Sequence, residues 1–287
     1  MFDHRTRRSG LGSLGGKAAQ CPVTSGPTRR AGFTLTELLV VVAMISILAS
    51  LLSTAFNNTK ARGQKVACLN NARLLQMAWR LYLEDSEDLL PLNRTIDNPL
   101  PERFFGRLLA SNSWAVGSPK QDTTPTNLAR GSLFPYTGKS IGGYRCPADR
   151  STVVGRADVL RNRSYSMDAY LAGDDADINP QVKSKDTELI TPSPEKVFVF
   201  IEESEESPWL GAFFVLPREQ LLLSSSVNWT SVPSDRHTQG CNITFADGHA
   251  EYWKWFWPKR AGLETKLTAN GHELRDLKRL QESVPKP

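Results

Sequence analysis

The spacing of apolar and polar positions changes character along the chain. From Phe33 to Phe56 the residues are apolar or small, Glu37 is the single charge, and Leu38 to Leu52 carries none. About 20 residues are needed to cross a hydrocarbon layer roughly 30 Å thick, and this run suffices. From Lys60 to Asp85 there is no proline, and Cys68, Ala72, Leu75, Trp79 and Tyr82 recur in steps of three and four. That period draws one apolar stripe on an α-helix. Gly63 weakens the junction by about 1 kcal/mol relative to Ala, which makes it a site for a bend. Pro91 marks the end. The pattern predicts one long helix from Phe33 to about Glu87. Its first half is apolar all round, and its second half needs a partner surface.

Beyond Pro91 the helical period is lost. Residues 91 to 140 are rich in Pro, Asn, Ser and Gly, and read as a loop-dominated insert in which "RFFGRLLA" forms a short helix. Cys146-Pro147 ends a short strand, and "RSYSMDAYLAG" fits strand or helix. "KVFVFIEES", Lys196 to Ser204, and "GAFFVL", Gly211 to Leu216, read as buried strands. In "CNITFADGHAEYWKW" the Asp247-Gly248 pair signals a two-residue hairpin turn. Such a turn sets Phe245 opposite Ala250, Ile243 opposite Tyr252 and Asn242 opposite Trp253. After Pro258 the chain is charged, and "HELRDLKRLQESV" is a short amphipathic helix at best. The fold class is α+β: a long amino-terminal helix packed on an antiparallel sheet built near residues 196 to 256. The alternative is two domains separated by the 91 to 140 insert.

Charge alters this picture at one end only. Of 35 basic and 30 acidic residues, residues 1 to 32 hold six basic ones (Arg5, Arg7, Arg8, Lys17, Arg29, Arg30) and one acid, Asp3. Phe33 onward is therefore balanced, with 29 of each. A nucleic-acid surface needs positive charge clustered on the folded body, so no nucleic-acid partner is expected. Residues 1 to 32 lack any hydrophobic period and read as a disordered or removable leader. Their charge places the amino terminus in the cytoplasm.

Candidate chemistry is sparse. His237, Asp247 and His249 lie close in sequence and could bind a metal or act as acid and base. Turn chemistry already accounts for Asp247-Gly248, and that reading is preferred. The acidic run Glu202 to Glu206 could hold calcium, but such runs are usually solvated turns, as are the three Asp of "GDDADINP". Apart from that calcium candidate, no cofactor, metal or enzymatic activity is expected. Of the four cysteines, Cys21 lies in the leader and Cys68, Cys146 and Cys241 in the body, so at most one intramolecular disulfide and one free thiol are allowed there.

"RRAGFTLTELLVV" closely resembles the class III signal of type IV pilins and type II secretion pseudopilins. The resemblance implies that a prepilin peptidase cuts between Gly32 and Phe33 and then N-methylates Phe33. Glu37 becomes the acid at the fifth position of the mature chain, where it pairs with the amino group of a neighbouring subunit. A secretory signal would instead be cut after the apolar run. His237, nine intervening residues and Asp247-Gly248 resemble the H-x9-D-G pattern of a large group of pilin-like proteins. "CLNNARLLQMAWRLYLED", "YRCPADRS" and "RSYSMDAYL" resemble that group too. Because Cys68 and Cys146 both lie in these segments, they are the expected disulfide, tying helix to sheet.

The reading implied is a pseudopilin-like structural subunit of a type II secretion or type IV pilus-like system. It spans the inner membrane once, with its amino terminus cytoplasmic and its body outside, in the periplasm. Its partners are prepilin peptidase, other pilin-like subunits and inner-membrane lipid. Its parts are a leader (1–32), a transmembrane helix (33–56), an amphipathic continuation (57–90), an α+β body (91–258) and a charged tail (259–287). Two other classes compete: a membrane-anchored metal-binding or enzymatic domain using His237, Asp247 and His249, and a carbohydrate-binding module using Tyr252, Trp253, Trp255 and Trp257.

Overall fold

The apolar run and the stripe after it lie on one helix, α1 (Leu35–Asp85). The computed structural model describes residues 32–93, 95–96, 108–109, 112–173, 179–207, 211–215, 227–259, 266–267 and 271–287. The leader upstream of Gly32 lies outside them. The chain divides into two units, Met1–Ser53 and Thr54–Pro287.

In the first unit, Leu35–Ser53 is long and apolar enough to cross a membrane, the only such helix among the described residues. At about 1.5 Å per residue its 19 residues span about 28 Å. Its large apolar side chains, from Leu35 to Leu52, are all exposed. Its serines are satisfied by the helix itself: Ser46 Oγ donates to Val42 O at 2.8 Å, Ser50 to Ile47 O at 2.7 Å and Ser53 to Ala49 O at 2.8 Å. In lipid each unpaired polar group would cost several kcal/mol, so this closure keeps the segment compatible with a bilayer.

In the second unit α1 buries Cys68, Ala72, Leu75, Ala78, Trp79 and Leu83. The stripe departs from expectation at its end, where Leu83 and not Tyr82 is buried. Four turns of roughly 3.6 residues from Cys68 fall between those two positions, so the packing partner decides. Tyr82 lies partly buried, edge-on to Tyr136 at 5.8 Å. The helix stops at Asp85 through a left-handed cap, before Pro91. Glu87 and Asp88 have φ of 52° and 64°, and Asp88 N donates to Leu83 O at 3.1 Å.

Short strands follow. β1 (Thr95–Ile96) pairs with β2 (Leu108–Leu109), and β3 (Thr152–Val153) with β4 (Arg156–Leu160). Leu108 and Leu109 belong to the patch expected to be helical. An isolated helix of so few residues is not self-supporting, and sheet pairing prevails. The central sheet holds β5 (Tyr165–Asp168), β6 (Phe198–Glu202), β7 (Ala212–Phe213), β9 (Gly240–Phe245) and β10 (Ala250–Lys254), in the order β10-β9-β6-β5-β7. β8 (Val227–Asn228) pairs separately with β11 (Lys266–Leu267). β5 settles the strand-or-helix ambiguity of "RSYSMDAYL". The sheet is antiparallel except that β7 runs parallel to β5. Both edges of β6 are occupied by β5 and β9, so the strand that follows β6 cannot pair with it and instead adds at the open edge of β5.

The β9–β10 hairpin forms one residue out of the expected register: Thr244 faces Ala250, Ile243 faces Glu251, Asn242 faces Tyr252 and Cys241 faces Trp253. Gly248 N donates to Phe245 O and Phe245 N to His249 O, both at 2.9 Å, and Gly248 has φ of 103°. The loop is thus three residues, Ala246 to Gly248, a type I turn closed by a positive-φ glycine. Along this strand Trp253 and the following Trp255 are buried and Lys254 is exposed; Glu251 is exposed too, on the face of Trp253, whose Nε1 donates to it.

The sheet separates two cores. On one side the α1 stripe packs with Trp114, Tyr144, Val199 and Phe200. On the other, Phe198, Ile201, Ile243, Trp253 and Trp255 pack with Leu277, Leu280 and Val284. A register irregularity between Phe198 and Ile201 lets Val199 and Phe200 join the same core. The carboxy-terminal residues form a helix, α2 (Gly271–Gln281), anchored by a fully buried pair in which Lys259 Nζ donates to Asp276 Oδ2 at 2.6 Å. Trp114, Leu128 and Leu133 of the loop-rich insert share the core of α1, so the insert does not separate two domains.

Candidate functional site

At the amino-terminal end, Gly32 and Phe33 precede the helix and are exposed, Phe33 to 74%. A peptidase needs such an accessible bond outside the helix. Thr34 caps α1. Its backbone N–H donates to Glu37 Oε2 at 2.8 Å and its hydroxyl to the same oxygen at 2.6 Å, while Glu37 N donates back to Thr34 Oγ1 at 3.2 Å. This is a reciprocal capping box, Thr-x-x-Glu, which satisfies donors that a helix start leaves orphaned. The acid also sits in the first turn, where the macrodipole favours an anion. Both bonds that the carboxylate accepts end on Oε2, and Oε1 is uncommitted among the described residues.

The residues of the carboxy-terminal pattern are not brought together. Asp247 and His249 pair with each other on the exposed turn, Oδ1 to Nδ1 at 2.6 Å, and Asp247 Oδ1 also accepts from His249 N at 3.0 Å. Asp247 is thereby a turn residue. His237 is buried, with Nε2 at 3.3 Å from Cys146 Sγ and 3.2 Å from Glu202 Oε2. The triad His237, Asp247 and His249 therefore makes no common site. Cys68 and Cys146 are joined as a disulfide with Cα atoms 5.0 Å apart, and Cys241 is a buried free thiol. Burial pushes the pKa of Cys241 well above the ordinary thiol range, with Glu202 adding to it.

Around the cysteine pair stand residues that sequence reasoning did not select. The Tyr165 hydroxyl donates to Cys68 O at 2.8 Å and lies 3.1 Å from its sulfur, and Asn242 Nδ2 donates to Glu202 Oε1 at 2.7 Å. Glu202 and Glu203 are fully buried, which corrects the reading of Glu202 to Glu206 as a solvated turn; only Glu205 and Glu206 are exposed. The available signal was that "FVFIE" continues a buried strand through Glu202. Burial raises the pKa of Glu203 to about 7, against hydrogen bonds from Ser166 and Ser207 that pull the other way. The Asp residues of "GDDADINP" lie outside the described residues. No flat aromatic platform forms either: Trp253 and Trp255 are buried in the core, while Trp257 remains 43% exposed.

Comparison with known proteins gives one match. Residues 27–53 fit the family model of the prokaryotic N-terminal methylation motif. No curated protein and no solved structure matches the chain. The matched stretch holds Gly32, Phe33, the capping box and the whole exposed apolar segment. The chain thus carries a prepilin-type N-terminal methylation motif at the head of an apolar helix.

Proposed function

We propose that the chain is a structural subunit of a pseudopilin-like assembly, of the type II secretion or type IV pilus kind, and that it performs no catalysis. The observation that carries this reading is the methylation motif continuing directly into an apolar segment whose large side chains are exposed among the described residues. A prepilin peptidase at the cytoplasmic face cleaves between Gly32 and Phe33 and methylates the new amine. The apolar helix holds the subunit in the inner membrane, with the α+β body outside the cytoplasm, and packs laterally against the helices of other pilin-like subunits.

Glu37 sets register in that packing. A carboxylate near the end of a membrane helix is costly unless paired. Oε2 is engaged by Thr34 of the same chain, which leaves Oε1 to accept from the N-methylated amine of a neighbour. Mass spectrometry of the mature amino terminus tests the processing: the expected species begins with N-methylated Phe33, and an intact leader on the membrane-inserted protein refutes it. Glu37→Gln is expected to insert normally yet lose co-assembly in a crosslinking assay. Normal crosslinking of that variant would remove the register role while leaving the processing result standing.

A further inference from the structure

Four metal-ligating side chains from distant parts of the second unit converge in its interior: Cys68 on α1, Cys146 after the "IGGY" turn, Glu202 at the end of β6 and His237 ahead of β9. One ligand atom from each lies within 4.8 Å of all the others, and all four residues are buried. We propose that Cys68, Cys146, Glu202 and His237 form a buried structural zinc site when the two cysteines are in the dithiol form.

Once the two bonded sulfurs part, the spacing of His237 to its neighbours suits a tetrahedral ion. Metal–ligand bonds of about 2.0–2.3 Å place the corners of a tetrahedron roughly 3.3–3.8 Å apart. His237 Nε2 stands 3.3 Å from Cys146 Sγ and 3.2 Å from Glu202 Oε2, close to such edges. Two thiolates, one imidazole and one carboxylate form a donor set that zinc accepts in closed, four-coordinate sites.

A second observation points into the same space. Glu202 Oε2 is fully buried, and its approach to His237 Nε2 makes no hydrogen bond; no other described residue partners it. A buried carboxylate oxygen left unpaired is expensive, and a cation between it and the two sulfurs removes that cost. The other oxygen is already held by Asn242 at 2.7 Å, so the carboxylate is aimed by a supporting hydrogen bond, as metal-bound carboxylates usually are. Three anionic ligands around a divalent ion leave one net negative charge.

The site and the disulfide exclude each other. Zinc binding displaces one proton from each thiol, both released to solvent, while the imidazole donates its neutral nitrogen. The disulfide holds two electrons fewer. A phosphine reductant restores the dithiol: phosphorus gives two electrons and takes the oxygen of one water, the two protons of that water go to the sulfurs, and the phosphine leaves as its oxide. All four residues are buried, so loading accompanies folding.

The test uses the full chain in detergent, refolded with a phosphine reductant under argon and one equivalent of Zn2+ or Co2+, then freed of excess metal. The expected result is one zinc per chain, and for cobalt the thiolate charge-transfer and intense ligand-field absorption of a tetrahedral site. Cys21→Ser and Cys241→Ser should leave both unchanged. The double variant Cys68→Ser, Cys146→Ser and the single variant His237→Ala should lose both. Should those variants misfold by circular dichroism, Asn242→Ala decides: it leaves every ligand in place and should weaken zinc about 10- to 100-fold in chelator competition. The proposal is overturned if the folded, reduced chain retains no stoichiometric zinc. It is equally overturned if zinc is retained at unchanged affinity in folded His237→Ala or Asn242→Ala.

Discussion

Replacing Glu203 by Gln should flatten part of the pH dependence of stability. The carboxyl group is buried beside Ser166 and Ser207, whose hydroxyls both donate to it, and its pKa is about 7 in the folded chain against 4.5 for an ordinary glutamate. Between those values the folded chain holds a proton that the unfolded chain has given up. The contribution of this group is therefore complete below about pH 4.5 and is lost as pH rises through about 7. At about 1.4 kcal/mol per pH unit, that interval amounts to roughly 3 kcal/mol. Gln cannot ionise and keeps an acceptor and a donor for the two hydroxyls. Urea unfolding followed by tryptophan fluorescence, with Trp79 and Trp114 fully buried, supplies the readout from pH 4 to 8. The stability of the natural chain minus that of Glu203→Gln should fall by roughly 3 kcal/mol over this range at unchanged m. Asp168, also raised by burial, contributes equally to both chains and cancels. Parallel curves would refute the assignment.

Other perturbations test the packing. Trp79→Ala removes the largest side chain of the α1 stripe and should cost about 3–5 kcal/mol by the same unfolding assay. Leu280→Ala should cost about 2–5 kcal/mol and speed amide exchange in α2, because Leu280 is fully buried against the sheet. Gly240→Ala would put a methyl group 2.2 Å from Trp253 O and against the Tyr252 ring; it should destabilise the chain and perturb the hairpin amide signals in NMR. Air-oxidised protein comprising residues 54–287 should present one thiol to Ellman's reagent in denaturant, Cys241, and reduction should expose three. Closing a loop of 78 residues, the bridge should add about 4.5 kcal/mol on the chain-entropy account, measured as the loss on reduction without metal.

The strongest sequence signals were those with a long period or a dense motif. α1 was legible because an unbroken apolar run passes without a proline into a helical stripe, whereas the Thr34–Glu37 cap at its start was not read from the sequence. β6 and the hairpin were legible as strands, but the hairpin register was not. A turn of two residues and one of three share the Asp-Gly signature, and only the hydrogen bonds of Phe245 distinguish them. The pairing of β7 with β5 depended on which edges were already filled, which no local pattern encodes. The cluster around Cys146 escaped for a related reason. Glu202 looked like the first member of a solvated acidic run, and its burial comes from lying between β5 and β9. The carboxy-terminal helix looked weak because its apolar residues are few, yet Leu277, Leu280 and Val284 fall on one side and meet Trp253 and Trp255.

The serines of the apolar segment carry a consequence for how neighbours can read it. Because Ser46, Ser50 and Ser53 turn their hydroxyls back onto Val42, Ile47 and Ala49, the cylinder presents no polar seam along its length. A neighbouring helix rolling around it would find every azimuth electrically alike. Orientation must then be read at the rim, where one carboxylate on the first turn is the sole charge between Leu35 and Ser53.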